Sequence, residues 1–118
     1  MNTYKLIDLT YLKGLSDGDD QFVKKMLSLF LVQMPEAISN LEKHYNNKEW
    51  NLLRTTAHKL KASYMFLGVK DLPEMVGSVE EHATNKTKLD LLPEIIFNIK
   101  DISRTILEEL ETEQKFLR

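Results

Sequence analysis

The amino-acid sequence predicts an all-α fold, an antiparallel four-helix bundle with a short additional N-terminal helix. Three observations carry the prediction. Along four separate stretches the apolar residues recur in steps of three and four, which keeps one face of each helix apolar. No stretch alternates apolar and polar residues as a half-buried strand does. The 118 residues include only three prolines and four glycines, so few positions interrupt a helix.

The elements follow in order. Ile7, Leu9, Tyr11 and Leu12 supply the short first helix, which closes one end of the bundle. Asp17, Asp19 and Asp20 suit the start of the first long helix, where carboxylates cap free amides and meet the positive end of the dipole, and Gly18 suits the turn before it. From Val23 the apolar face runs through Leu27, Phe30, Met34, Ile38, Leu41 and Tyr45. Pro35 lies inside this run and is expected to bend or split the helix, because it lacks an amide hydrogen and crowds the preceding turn. After a turn at Asn46-Asn47-Lys48, a second helix extends from about Glu49 to Leu67 with Leu53, Ala57, Leu60, Tyr64 and Leu67 inward, and it stops at Gly68. A third begins near Asp71, tolerates Pro73 in its first turn, and fades between Ala83 and Lys88. The last follows Asp90 and Pro93 with the stripe Leu92, Ile95, Ile99, Ile102, Ile106, Leu110 and Glu113, broken only by the glutamate. The polar end from Glu111 to Arg118 is expected to fray.

Composition narrows the function classes. With 42% hydrophobic and 29% charged residues, and no repeat or low-complexity tract, residues 1–118 read as one soluble domain. The absence of cysteine excludes a disulfide framework and a thiolate metal site. The N-terminal MNTYKLIDLTYLKGL has no long apolar run followed by a cleavage site, and no segment approaches the roughly 20 apolar residues of a membrane span. A cytoplasmic location and no membrane partner are therefore expected. A net charge of −2 without a basic block argues against nucleic acid, which leaves proteins as partners.

The stretch richest in chemistry is Ala57-His58-Lys59-Leu60-Lys61-Ala62-Ser63-Tyr64-Met65-Phe66-Leu67-Gly68. At 100° per residue, His58 falls about 140° and Lys61 about 80° from the inward centre, so the imidazole is expected to be accessible. Arg54, His58, Lys61, Ala62 and Met65 then form one outer patch, with Phe66 just beyond. A neutral imidazole is a nucleophile near physiological pH, and neighbouring cations attract an anion, so phosphoryl transfer is the chemistry this setting favours. The plain alternative for the cations is a solvated helix face, and for Met65 and Phe66 it is partial burial against another element. If the flanking helices fold back about Gly68 and Val69, His58 faces Val79 to Glu80. Glu80 is then placed to hold one imidazole nitrogen and leave the other free; the alternative is a solvated surface carboxylate. Gly77, one turn earlier, either lets two helices approach closely or softens the segment. His44, His58 and His82 lack metal-ligand spacing, no metal site is expected, and no glycine-rich phosphate loop points to ATP.

The run from Ala57 to Gly68 resembles the signature of histidine-containing phosphotransfer (HPt) domains, His-x-Leu-Lys-Gly-Ser followed by Leu-Gly. Gly18-Asp19-Asp20-Gln21-Phe22 with Leu29 and Phe30, and the spacing from Trp50 and Leu53 to His58, are similar to the same family, so the resemblance covers roughly residues 15 to 80. It implies that His58 is the phosphoacceptor, that Lys61 contacts the phosphoryl group with Lys59 as a second cation, and that Gly68 closes the motif. Glu80 falls where the family often has a glutamine or glutamate bonded to the ring. One departure is Ala62, where the family usually has glycine. The resemblance further implies a relay between response-regulator receiver domains, fed by a hybrid sensor kinase; the outer patch read from the helical spacing, Arg54, Ala62, Met65 and Phe66, is then the expected docking face. No cofactor is expected on this chain, and Mg²⁺ is expected on the partner receiver. The alternative is a helical docking module that binds signalling domains without transferring phosphate.

Overall fold

The computed structural model describes residues 5–117, and every regular element among them is helical. The helices are α1 (Thr10–Ser16), α2 (Asp20–Asn46), α3 (Trp50–Phe66), α4 (Leu72–Asn85) and α5 (Leu92–Phe116), with a single 3-10 turn at Leu89–Leu91 before the last. Helices α2 to α5 form the bundle, each packing on its neighbours in the order α2, α3, α4, α5 and back to α2, so that α3 and α5 stand diagonally across the core. Helix α1 lies against α2 at one end.

Local chemistry explains most boundaries. Gly18 turns the chain with φ of +86°, and the Asp19 carboxylate then caps α2 by accepting from the amides of Gln21 at 3.0 Å and Phe22 at 3.4 Å. Pro73 stands in the first turn of α4 and Pro93 in that of α5, where a missing amide hydrogen costs nothing. Helix α2 runs unbroken across Pro35, so the expected split does not occur. Pro35 is on the exposed face, where the Leu31 carbonyl that loses its amide partner can turn to solvent.

The core is drawn from all five helices, and it includes Leu12, Leu27, Leu41, Leu53, Leu60, Tyr64, Val76, Ile99 and Leu110. The stripe of α5 is centred differently from the prediction: Ile96 and Ser103 are buried, whereas Ile95 and Ile102 sit at the margin. Ser103 is tolerated in the core because its hydroxyl pairs with the Tyr64 hydroxyl from the diagonal helix. The expected fraying is also corrected. Helix α5 continues to Phe116, and Gln114 Nε2 donates to the Lys24 carbonyl of α2 at 3.3 Å; Arg118 lies outside the described residues.

The N-terminal segment reaches α1 as a strap without regular secondary structure. Ile7 and Leu9, expected in the first helix, instead lie in the strap ahead of it; both are buried, whereas Tyr11 on α1 is 57% exposed. The strap crosses the end of α3, where the Asp8 amide donates to the Leu67 carbonyl at 2.7 Å.

Candidate functional site

Helices α3 and α4 form a hairpin about the turn at Gly68 to Asp71, and this hairpin assembles the site. The inward face of α3 is Leu53, Ala57, Leu60 and Tyr64, which turns His58 outward; its side chain is 65% exposed. Leu72, Val76, Val79 and Ala83 of α4 face the core, and this register brings Glu80 to the edge that meets α3.

His58 Nδ1 lies 2.9 Å from Glu80 Oε2, and Lys61 Nζ lies 3.0 Å from Glu80 Oε1. One half-buried carboxylate thus joins the two groups through separate oxygens. Burial alone would raise the Glu80 carboxyl, but the hydrogen bonds and charges of Lys61 and His58 outweigh it and hold it below the usual range. At neutral pH the carboxylate is therefore ionised and can only accept, so Nδ1 must carry the proton it donates. In the neutral ring this tautomer leaves the lone pair on the remaining nitrogen, Nε2.

Gly77 lies under Lys61: a Cβ added there would meet Lys61 Cδ at 3.8 Å, an ordinary contact. Close helix approach therefore does not demand glycine at this position. Gly68 is different. Its φ is +66°, and an added Cβ would stand 2.8 Å from Asp8 Cβ, so the strap fits only against a glycine.

The structure brings His58, Lys61 and Glu80 together, and Arg54, Ala62 and Met65 are exposed on the same face of α3. Phe66 is partly covered by Tyr11, with ring centroids 5.7 Å apart and planes at 45°. Lys59 is not part of the cluster; it is exposed on the other flank, in the groove between α2 and α3 with Glu36 and Thr56. The contact between Lys61 and Glu80 is one that sequence reasoning misses, although spacings of three on α3 and one hairpin turn contain it. The three histidines have three different partners: His44 is 3.0 Å from Glu49, and His82 is 3.2 Å from Thr87. Among the described residues no group of three or more His, Asp or Glu could hold a metal ion, and no helix is long and apolar enough to cross a membrane.

A helical bundle that presents one exposed imidazole, oriented through one nitrogen and open at the other, has the geometry of the class of proteins that carry a phosphoryl group on histidine. Comparison with known proteins makes the assignment specific. The Hpt domain family matches residues 25–113, and the chain belongs to that family. The crystal structure of histidine-containing phosphotransfer protein B (HptB) from Pseudomonas aeruginosa PAO1 is similar in fold, with a TM-score of 0.84 and 20% sequence identity over 96% of this chain and 97% of that one. A search of curated protein sequences finds no match. The function is histidine phosphotransfer in a phosphorelay, and the partners are receiver domains of two-component systems.

Proposed function

We propose that His58 is the phosphoacceptor. It takes a phosphoryl group from the aspartyl phosphate of one receiver and passes it to the aspartate of another. The observation that carries this reading is the 2.9 Å contact between His58 Nδ1 and Glu80, with the rest of the ring exposed. With Nδ1–H held by the carboxylate, Nε2 attacks phosphorus in line. The N–P bond forms as the bond to the aspartyl oxygen breaks, and the aspartate leaves as a carboxylate. The imidazolium so formed keeps its Nδ1–H on Glu80, which stabilises the positive charge. Reversal of the same step discharges the phosphoryl group to the second receiver.

Lys61 supplies the cation for the phosphoryl oxygens. Its ammonium has three donors and only one is engaged by Glu80, so the others can turn to an incoming anion without release of the carboxylate. Lys59 contributes to the general positive field from the neighbouring flank. Arg54, Ala62, Met65 and Phe66 form the ground on which the receiver docks, and the methyl of Ala62 is small enough to leave the imidazole approachable. Gly68 serves this face indirectly, through the strap. The Mg²⁺ that such a transfer uses belongs to the receiver, a hybrid sensor kinase supplies the phosphate, and the relay operates in the cytoplasm.

Transfer from a panel of receiver domains loaded with labelled phosphate tests the assignment. Wild type should acquire label that is acid-labile and alkali-stable, and His58→Gln should acquire none. Full labelling of His58→Gln would refute the role of His58.

A further inference from the structure

One carboxylate far from the reacting histidine grips the backbone of the strap. Glu109 on α5 accepts from the Leu6 amide with both oxygens, at 2.9 and 3.1 Å, and from the Ile7 amide at 3.0 Å. These are hydrogen bonds to a charged acceptor and are the stronger for it. The next amide, that of Asp8, is taken by the Leu67 carbonyl at the end of α3. The strap is thus tied first to α5 and then to α3, two helices that stand diagonally across the core.

What the strap positions is α1. A helix of seven residues is too short to hold itself, since isolated helices below about 12 residues are marginal in water. Its pose depends on its buried Leu12, on its packing against α2 and on the chain that enters and leaves it. Helix α1 carries Tyr11, which is 57% exposed with one side of its ring toward Phe66, and Leu15 one turn on, which is 52% exposed. Phe66 lies about 12 Å along α3 from His58, from a rise of 1.5 Å per residue. An interface of standard size covers about 800 Å² on each partner, a disc roughly 30 Å across. A receiver centred on His58 therefore covers the surface as far as Phe66 and meets Tyr11, whose ring is 5.7 Å from that of Phe66, at its margin.

We infer that Glu109 is a positioning residue for receiver docking. By holding residues 6 and 7 it fixes where α1 presents Tyr11 and Leu15, and so sets the affinity for the receiver without acting on His58. The inference rests on the proposed role of His58.

The test uses the full chain, with Glu109→Ala, Glu109→Gln and the exposed variant Tyr11→Ala, and two phosphodonors. Phosphoramidate is small and needs no docking face; a labelled phospho-receiver that charges the wild type does. For Glu109→Ala, amide exchange at Leu6 and Ile7 should accelerate. The KM for the phospho-receiver should rise about threefold, as expected for displacement of a contact at the margin of an interface. Its kcat and its labelling by phosphoramidate should match wild type. Glu109→Gln, which keeps an acceptor oxygen, should fall between the two. Tyr11→Ala should raise KM similarly, and the double variant with Glu109→Ala should raise it by less than the product of the two. An unchanged receiver KM in Glu109→Ala with accelerated exchange at Leu6 and Ile7 overturns the inference. So does an unchanged KM in Tyr11→Ala, which decides the matter if Glu109→Ala does not fold. A change in self-association in place of a change in receiver KM overturns it as well, because α1 would then serve a second copy of the chain. Failure of the wild type to accept label from phosphoramidate or from any receiver refutes the role of His58 itself, and is recognised separately.

Discussion

Asp8 and Gly68 are 60 residues apart in the chain and touch backbone to backbone, so closely that a Cβ on residue 68 would stand 2.8 Å from the Cβ of Asp8. The glycine that closes the histidine motif is thus a packing requirement of the strap. Gly68→Ala must adopt a φ of +66° and also push the strap away. It should lose about 3 kcal/mol of stability, measured by denaturant unfolding, while the folded fraction still accepts phosphate from phosphoramidate.

The Tyr64 and Ser103 hydroxyls meet in the core between the diagonal helices. Tyr64→Phe strands the Ser103 hydroxyl and should cost about 1 to 3 kcal/mol, whereas Tyr64→Phe combined with Ser103→Ala, which removes both hydroxyls, should cost much less. A double-mutant cycle by thermal unfolding measures the difference.

The same phenol makes the alkaline limb specific. Burial pushes Tyr64 from 10.0 to about 12, against the lowering effect of the Ser103 hydrogen bond. The unfolded chain then ionises first. The contribution of Tyr64 is full below about pH 10 and is lost as pH rises toward 12. Unfolding midpoints across that window should fall more steeply for wild type than for Tyr64→Phe.

Glu80 governs the acid limb in the opposite sense. Burial opposes its ionisation, but the Lys61 and His58 hydrogen bonds win, so its folded pKa lies below 4.5. The stabilisation is present in full above pH 4.5 and disappears as pH drops through the lower, folded value. Glu80→Gln should flatten this part of the stability curve and should slow phosphate acceptance without abolishing binding of the receiver.

Asp71 closes the α3–α4 hairpin with φ of +70°, and the Leu72 amide donates to the Lys70 carbonyl at 2.8 Å across it. An L side chain is strained there. Asp71→Gly should raise the stability by roughly 1 kcal/mol, because relief of strain exceeds the extra entropy of the unfolded glycine. Differential scanning calorimetry would register it as a higher Tm.

Much of this architecture is legible in the sequence where a long helix has one sharply apolar face. Leu53, Ala57, Leu60 and Tyr64 repeat without ambiguity, which fixes the outward direction of His58 and, with one short turn, its meeting with Glu80. Helix α5 is harder to phase because Ile95 and Ile96 are adjacent and equally apolar, and because Ser103 reads as polar until the Tyr64 hydroxyl across the core is known. Lys61 reads as a free cation in the sequence; its long stem reaches a carboxylate that helical angles alone do not couple to it. The grip of Glu109 on Leu6 and Ile7 leaves no trace, since a carboxylate that serves backbone amides imposes no side-chain pattern on the residues it holds.

The reacting cluster comes entirely from residues 58 to 80, on two adjacent arms closed by a single turn. Such contacts need little loop closure, so they re-form quickly after any local opening that leaves the two helices packed on the bundle. Drift can then proceed at α1 and along the outer face of α2 with the imidazole and its carboxylate left intact. A lineage built on this hairpin is free to exchange one signalling partner for another, and to diverge widely in sequence, while its chemistry stays the same.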